Sequence, residues 1–369
     1  MRIISVETYR YDLPLVRPLS LKRGMMEIRS GMVIRLRDER GYEGLGEVAP
    51  FPGLHRENLK QVKRQLSDCM PCLLDTTIPE GIAGLNGGFE AWLGDLGLFP
   101  CVRFGVELAV LNLLGDEEKL PLHALLSPVS HREVLINGLI ADSGNDIEAQ
   151  AKAMAAEGYR CIKLKVGHLP VDSAVTAVQR VRAAVPAQVS LRVDANRAWT
   201  LPHAVSFGSG IAGCGIDYVE EPLRDPGDLE TFHEKTGIPI ALDETLAGMP
   251  PNDAVLFKGV GAWVLKPSVL GGFENAAQFC RLAMKNGVVP VVSCAFQSGI
   301  ALSGLAQFAA AFTPPDAAMG LDTYRWLAED LLVTPFRARR GAVDVAAIAE
   351  TGRAIRHDLL QEIEGVYSL

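Results

Sequence analysis

The sequence predicts an α/β protein in which a parallel β/α barrel follows an α+β region, and two patterns carry this prediction. From about residue 133, short apolar runs alternate with helical stretches, giving seven clear strand–helix units and a weak eighth strand. Residues 1 to about 125 instead contain strand-like runs first and helical runs afterwards. The 369 residues are enough for one large or two ordinary domains.

The N-terminal region begins with three strand-like runs, MRIISVETYRYDL, SGMVIRLRDE and YEGLGEVAP, which fit a small antiparallel sheet with a turn at residues 39–41. Apolar residues then recur at helical spacing in HRENLKQVKRQLSDCM and VRFGVELAVLNLLGDE. Strands followed by helices are typical of an α+β domain.

The barrel is predicted unit by unit. Its strands are VLINGLIA, CIKLKVG, SLRVDAN, IDYVEEP, IPIALDET, AWVLKPS, VVPVVSC and MGLD. Its helices are DIEAQAKAMAAEG, DSAVTAVQRVRAA, PHAVSFGSGIA, DLETFHEKTG, DAVLFKG, FENAAQFCRLAMKNG and GIALSGLAQFAAAF. The last forty or so residues, including AAIAETGRAIRHDLLQEIE, are predicted to form one further helix.

Composition limits the classes of partner. The net charge of −8 argues against nucleic acid or an anionic membrane, since both need a concentrated basic surface. No segment reaches the roughly 18 uninterrupted apolar residues of a membrane span. Seven scattered cysteines indicate reduced thiols in a cytoplasm rather than a disulfide framework. A small-molecule partner is therefore expected, and the sequence does not reveal the oligomeric state.

Five successive predicted strands end on ionisable or amide side chains. In a β/α barrel the chemistry lies at the carboxyl ends of the strands, where the loops enclose a pocket. The ionisable groups recur every 23 to 29 residues, about one β/α unit, so we expect them at one height in the barrel. We call these residues the charged row: Lys163 and Lys165, then Asp194 with Asn196, Glu220 and Glu221, Asp243 and Glu244, and Lys266.

The acids of this row suggest a divalent cation. Asp194, Glu220 and Asp243 come from adjacent strands, and their hard carboxylate oxygens suit Mg²⁺, with coordination positions left for water or substrate. The alternative is that one or two of them cap the helices that follow.

The lysines complete the expected chemistry. Strand alternation places Lys163 and Lys165 on one face, and Lys266 comes from a strand across the barrel. A lysine near another lysine and a metal ion has its charged form disfavoured, which makes it usable as a general base near neutral pH. Metal, base and opposing cation together suit abstraction of a proton α to a carboxylate.

The motifs KLKVG, LRVDANRAWT, VEEP, LDET and VLKPS resemble the branch of the enolase superfamily that carries a KxK pair. With GLGEVAPFPGLHREN, FGVELA and MGLDT, the resemblance extends to the o-succinylbenzoate synthase family, particularly its proteobacterial type. It implies a modified (β/α)7β barrel in residues 126–325 and an α+β capping domain in residues 1–125. The C-terminal tail, residues 326–369, would complete the capping domain.

The resemblance also implies roles for the charged row. Asp194, Glu220 and Asp243 would be the Mg²⁺ ligands, with Glu220 chosen because the first glutamate of EEP is the ligand in this superfamily. Lys165, the second lysine of KxK, would be the base and then the acid, while Lys163 would support the electrostatics. Lys266 would face the enediolate as a stabilising cation. The implied reaction dehydrates a cyclohexadiene hydroxy acid to o-succinylbenzoate, a step toward menaquinone.

Further residues are candidates for binding the substrate. Arg192 and Asn196 match the family's RxDAN pattern and would orient Lys165 and the substrate, with a structural barrel charge as the alternative for Arg192. Ser293 and Cys294, in SCAFQSG, are candidate contacts to the succinyl group, although the family's loop is richer in serine. Gly320 in MGLD would allow close backbone approach, and an ordinary turn explains it equally well. The LSLKRGMM segment, residues 19–26, is a candidate cover for the substrate.

Several rivals stay open at this point. A dipeptide epimerase, an N-succinylamino acid racemase and a muconate cycloisomerase of the same superfamily share the lysines and acids. A racemase would need both Lys165 and Lys266 as bases. A barrel that has lost catalysis and serves as a binding protein is a rival of another class, and the intact lysines and acids argue against it.

Overall fold

The computed structural model describes residues 1–21, 24–141, 146–254 and 256–369. Lys22 and Arg23 of the LSLKRGMM segment therefore lie outside the described residues. The strands are β1 Ile3–Leu21, β2 Gly24–Asp38, β3 Glu43–Val48, β4 Glu133–Leu135, β5 Gly138–Ile140, β6 Cys161–Lys165, β7 Ser190–Asp194, β8 Ile216–Glu220, β9 Ile240–Leu242, β10 Val260–Leu265, β11 Val289–Val292, β12 Ala342–Asp344 and β13 Gln361–Ser368.

The helices alternate with the strands only in the second part of the chain. They are α1 Leu59–Cys69, α2 Gly88–Leu93, α3 Pro100–Glu118, α4 Leu122–Leu126, α5 Ile147–Ala156, α6 Val171–Ala184, α7 Leu201–Gly210, α8 Leu229–Thr236, α9 Pro267–Leu270, α10 Phe273–Lys285, α11 Gly299–Phe312 and α12 Val345–Thr351. Within the described part of the chain, none of these helices is both long and apolar enough to cross a membrane.

The N-terminal strands form an antiparallel sheet in the order β13-β1-β2-β3. Helix α3 packs across β3 at very short range because both elements carry glycine at the contact. A Cβ atom added to Gly46 would lie 1.8 Å from the carbonyl oxygen of Gly105, and one added to Gly44 would lie 2.0 Å from that of Ala109. The alternation of glycines on one face of β3 therefore allows α3 to approach.

Glu47, also on β3, joins the N-terminal sheet to the barrel. Its fully buried carboxylate accepts hydrogen bonds from the backbone N–H groups of Ser298 (2.9 Å) and Ala301 (3.1 Å), at the start of α11. The Ser298 hydroxyl donates to the same carboxylate at 2.6 Å. A carboxylate at a helix N-terminus satisfies unpaired N–H groups and complements the helix dipole. The carboxylate therefore caps α11 across the junction.

The second sheet contains β5 to β11, all parallel and adjacent in chain order. Its two edges approach each other through residues 319 and 320. Gly320 makes a parallel bridge to Ser293 just beyond β11, and Met319 makes one to Ile136 just before β5. With helices after most strands, this is an α/β barrel-like fold of the kind predicted.

Three local predictions were wrong. The first predicted strand, VLINGLIA, is divided into β4, which pairs with β12, and β5, which joins the parallel sheet. In DAVLFKG, the described residues on either side of position 255 contain the end of a 3₁₀ turn at Pro251–Asp253 and a turn at residues 257–260 in place of a helix. The predicted C-terminal helix ends at Thr351, and residues 361–368 form β13 instead, because they find a free strand edge on β1.

Candidate active site

A cavity of about 280 Å³ lies at the carboxyl ends of the parallel strands. The barrel contributes charged and small polar side chains to its wall, and the N-terminal region contributes apolar residues. This mixture is typical of a small-molecule site, with an apolar wall and a few convergent polar groups. The lining includes Ser20, Leu21, Phe51, Pro52, Gly53, Leu54, Lys163, Lys165, Asp194, Asn196, Asp243, Glu244, Lys266, Ser293, Cys294, Phe296, Gly320 and Asp322.

The charged row is aligned by strand register. Lys165 on β6 pairs with Asp194 on β7, and Asp194 pairs with Glu220 on β8. Parallel pairing without an offset puts the three side chains at the same height, as their spacing in the sequence predicts. Lys266 and Asp243 follow β10 and β9 directly and form an ion pair at the same end of the barrel.

The two lysines of the KxK pair have different surroundings. Lys163 is buried, and its ammonium nitrogen lies 2.7 Å from both carboxylate oxygens of Glu220 and 3.0 Å from Asp194. Lys165 keeps 32% of its side chain exposed and donates at 3.0 Å to Asp194 and at 3.0 Å to the side-chain oxygen of Asn196. Lys165 is thus the lysine of the pair that a molecule in the cavity can reach most readily.

Burial and ion pairing compete in setting the charge of these groups. Burial opposes the charged form of Lys163, but Asp194 and Glu220 outweigh it and raise its pKa well above the usual value. The pKa of Lys266 is raised in the same way, mainly by Asp243 against burial. Burial also opposes ionisation of Asp194, yet Lys163 and Lys165 lower the pKa of its carboxyl. Lys163, Lys266 and Asp194 are therefore charged in this arrangement.

Asn196 and Glu244 extend the polar network. The Asn196 amide nitrogen donates to one Glu244 carboxylate oxygen at 3.1 Å, while its carbonyl oxygen accepts from Lys165. The second Glu244 oxygen is buried and has no hydrogen-bond partner among the described residues. Asn196 thus holds Lys165 from one side, and Glu244 holds Asn196.

Glu221, the second glutamate of VEEP, has a different partner set from Glu220. Its carboxylate accepts from the backbone N–H groups of Asp243 (2.8 Å) and Thr245 (2.6 Å) and from the Arg197 guanidinium (2.9 Å). It therefore orients the turn that presents Asp243. The backbone is left-handed at Asn196 and Arg197 after β7 and at Glu221 after β8, with φ of 43°, 59° and 43°; such strain is common at functional sites.

The remaining predicted residues divide into two groups. Ser293, Cys294 and Gly320 all line the cavity, where the Ser293 hydroxyl and Cys294 thiol both donate to the Gly320 carbonyl at 3.2 Å. Arg192 is not brought to the cavity. Its guanidinium donates to the Ala318 carbonyl at 2.6 Å and lies 3.5 Å from the Asp217 carboxylate, and these partners hold it in a separate pocket at the other end of the strands.

Sequence reasoning missed several residues that shape the site. Asp322 is buried in the cavity wall, where it accepts from the Tyr159 hydroxyl at 2.6 Å and from the Leu139 backbone at 3.1 Å. The rings of Phe51 and Phe296 stack across the cavity rim, 5.0 Å between centroids. The MGLDT and PFPG motifs contain Asp322 and Phe51, but their periodicity carries no signal for these contacts.

The carboxylates at the strand ends are the candidate ligands for a metal ion. Among residues 1–21, 24–141, 146–254 and 256–369, no three Asp, Glu, His or Cys side chains are already grouped to hold a metal ion. The carboxylates of the row are turned toward ammonium groups instead. Their chemistry nonetheless fits Mg²⁺: Asp194, Glu220 and Asp243 offer buried oxygen donors from adjacent strands, and Glu244 adds an unpartnered oxygen beside them.

Comparison with known proteins first defines the class. Residues 146–356 match the family model described as enolase C-terminal domain-like, and residues 3–113 match the MenC N-terminal domain. The solved L-Ala-D/L-Glu epimerase from Bacillus subtilis superposes with a TM-score of 0.83, covering 93% of this chain and 96% of that one. Its sequence identity is 22%, so it shows the shared fold alone.

The relatives define the family more narrowly. The o-succinylbenzoate synthase of Klebsiella pneumoniae is 31% identical over 336 residues, covering 90% of this chain and 94% of that protein. The protein PHYLLO, chloroplastic, of Arabidopsis thaliana is 35% identical over 367 residues, and the match covers 89% of this chain but 21% of that protein. The chain therefore belongs to the o-succinylbenzoate synthase family of the enolase superfamily.

Proposed function

We propose that the protein is a Mg²⁺-dependent o-succinylbenzoate synthase, a hydro-lyase that dehydrates a cyclohexadiene hydroxy acid to o-succinylbenzoate for menaquinone biosynthesis. The observation that carries the proposal is the position of Lys165. In a chain of this family, it reaches the cavity from a row of buried lysines and carboxylates at the strand ends. The family membership supplies the reaction, and the row supplies groups suited to it.

Lys165 would remove the proton α to the substrate carboxylate and then assist the departure of the hydroxyl group as water. A single lysine can serve both steps when both take place on the same face of the ring. Lys163 would stay charged and buried, holding Glu220 and Asp194 in place. Lys266 would place a positive charge opposite the enediolate that forms after proton removal.

Mg²⁺ would be held by Asp194, Glu220 and Asp243. When bound, it would supply positive charge to the substrate carboxylate and so make the α-proton more acidic. Asn196 would orient Lys165, as its hydrogen bond to the ammonium group indicates. Ser293, Cys294 and Gly320 would contact the substrate from the barrel side.

The finer architecture is part of the same proposal. Residues 319–320, which bridge to both edges of the parallel sheet, would serve as the final strand of a modified (β/α)7β barrel. Residues 1–125 together with the tail, 326–369, would form the capping domain, in keeping with the pairing of β13 and β1. The reduced thiols expected from the sequence suit a cytoplasmic enzyme with a small-molecule carboxylate as its partner.

An ultraviolet assay with the cyclohexadiene precursor tests the function, run with Mg²⁺ and again with EDTA. We expect turnover to the aromatic product with Mg²⁺ and loss of turnover with EDTA, restored by excess Mg²⁺. Turnover that persists in EDTA contradicts the role of the metal.

A protein that binds Mg²⁺ but does not convert the precursor contradicts the assigned reaction. Exchange of the α-proton of dipeptides and N-succinylamino acids in deuterated water would then identify the superfamily chemistry. Racemisation would require Lys266 as a second base, so Lys266→Ala would abolish racemisation while leaving exchange on one face.

A further inference from the structure

One wall of the cavity comes from a short segment of the N-terminal region, residues 49–55, which we name the capping segment. Phe51, Pro52, Gly53 and Leu54 of this segment line the same cavity as the charged row. Its backbone is folded on itself, since the N–H groups of Leu54 and His55 both donate to the Phe51 carbonyl. The segment is held to the barrel at two points, one at each end.

Arg29 makes the first attachment. It lies on β2 with 1% of its surface exposed, and its guanidinium uses all five N–H donors on backbone carbonyl oxygens. Two of these carbonyls begin the capping segment, and two others belong to the loop after β11. The acceptors are Ala49, Pro50 (2.9 Å), Ala295, Phe296 (2.8 Å) and Ser30 (2.9 Å).

The loop that Arg29 holds is strained. Phe296 is a non-glycine residue with φ of 56°, a conformation that persists only where surrounding contacts determine it. The Arg29 hydrogen bond to its carbonyl is one such contact, and its ring also stacks on Phe51 and meets Trp326 edge-on. The guanidinium carbon of Arg29 also lies 5.6 Å from the Phe51 ring centroid. Arg29 and the aromatic pair therefore form one packed unit across the cavity rim.

His55 makes the second attachment. Its Nδ1 accepts from the Phe51 N–H at 2.9 Å, so Nε2 carries the proton and donates to the Ser268 carbonyl at 3.2 Å. Ser268 stands two residues after Lys266. Burial lowers the pKa of His55 to about 4, which keeps the imidazole in the neutral form that this pair of bonds requires. The histidine thus ties the capping segment to the backbone that presents Lys266.

We propose that Arg29 and His55 are positioning residues that fasten the capping segment to the barrel loops after β10 and β11. Neither touches the charged row, so each acts through the backbone that it holds. Fixing the wall before substrate arrives removes an ordering cost from binding, and it keeps the substrate in register with Lys165. The kinetic part of the proposal rests on the proposed function.

The test compares His55→Asn with the wild-type protein. The asparagine oxygen can replace Nδ1 as acceptor for the Phe51 N–H, but its side chain is too short to reach the Ser268 carbonyl. We expect this variant to fold, with KM for the cyclohexadiene precursor raised about 10- to 100-fold and kcat changed much less. Hydrogen exchange of residues 49–55 should accelerate in the same variant.

Arg29→Lys extends the test, because an ammonium group has only three donors for the five carbonyls. Arg281→Met is the matched control: Arg281 also donates to backbone carbonyls, those of Leu85 (2.8 Å) and Gly84 (2.9 Å), but away from the cavity. We expect the control to lower the melting temperature without raising KM. Wild-type KM in His55→Asn, or a KM change shared by the control, overturns the proposal.

The exchange measurement separates this proposal from the assigned reaction. If the wild-type protein does not convert the precursor, the proposed function fails. Hydrogen exchange of the backbone at residues 49–55 still shows whether His55 fastens the capping segment to the barrel. Unchanged exchange of residues 49–55 in His55→Asn shows that the tether to Ser268 does not hold the capping segment. Should Arg29→Lys fail to fold, His55→Asn alone carries the decision.

Discussion

Lys163 and Lys165 stand two residues apart on one strand, and the depth of each in the barrel decides what it can do. Alternate residues of a strand point to the same side, so both lysines face the barrel interior. The first is enclosed by the carboxylates of Glu220 and Asp194, whereas the second keeps a third of its side chain open to the cavity. The proposed division into a structural cation and a reactive amine would follow from this two-residue step along the strand.

Replacing Lys165 tests that division. We expect Lys165→Ala to lower kcat about 10²- to 10⁴-fold, the range for loss of a general acid–base group. Because Lys165 contributes no proposed metal ligand, calorimetry should show that Mg²⁺ still binds. Lys152→Ala, an exposed substitution on α5, is the control and should leave turnover unchanged. Wild-type kcat in Lys165→Ala would remove it as the base.

Asp322 is a single residue whose contribution to the free energy of unfolding should depend on pH. Burial raises its pKa to about 6, against the opposing effects of Tyr159 and Arg325. The unfolded chain has an aspartate pKa of about 3.9, so the folded state binds this proton more tightly. The stabilising contribution is therefore fully present below about pH 4 and lost as the pH rises through about 6, a change of roughly 2–3 kcal/mol in the free energy of unfolding.

Melting temperatures of the wild-type protein and Asp322→Asn, measured between about pH 4 and pH 7, check this prediction. We expect the wild-type protein to lose stability relative to the variant as the pH rises through this window. Asp316→Asn, at an exposed position, should show a difference from wild type that does not change with pH. A constant difference for Asp322→Asn as well would contradict the burial argument.

The sequence predicted which residues reach the cavity where those residues stand at the carboxyl ends of strands. Lys165, Asp194, Asp243 and Lys266 were placed in one cavity because a repeated unit fixes their height. Arg192 was not, since its guanidinium is held by the Ala318 carbonyl and the Asp217 carboxylate outside the cavity. The role of Arg29 was not predicted at all. Its acceptors are backbone carbonyl oxygens, which every residue has, so no sequence pattern marks them.

At the scale of elements, β3 and α3 depend on the absence of side chains where they meet. Gly46→Ala places a methyl group within 1.8 Å of the Gly105 carbonyl, so strand and helix must separate. We expect a loss of about 3 kcal/mol in the free energy of unfolding, measured by denaturant titration. Gly261→Ala is the control, because its added Cβ would meet only Pro239, at 3.6 Å. Equal stability of the two variants would refute the close packing.

Elements were predictable where their residues alone determine them. The helices α3, α6 and α10 and most barrel strands follow from period and length. The C-terminal residues 361–368 do not, since their strand conformation is imposed by the free edge of β1, a partner distant in sequence. VLINGLIA was divided for a similar reason: β4 pairs with β12, which no local pattern can specify.

At the scale of the whole molecule, the N-terminal sheet is completed by β13. Removing residues 361–369 would leave the β1 edge unpaired and open to association with other chains. We expect a melting temperature lower by about 5 °C or more and a shift toward aggregates in light scattering. Removal of Leu369 alone is the control, since it costs one backbone bond to Ile4. A truncated protein that stays monodisperse and equally stable would show that β13 is dispensable.

The pairing of β13 with β1 also has a consequence for the order of synthesis on the ribosome. The first strand leaves the exit tunnel long before its outer neighbour is translated, and every barrel strand is made in between. The barrel can therefore assemble while the N-terminal sheet still has an unpaired edge. A nascent chain would gain its charged row before the sheet that supports the capping segment is complete, so chaperone contacts early in synthesis should concentrate on β1.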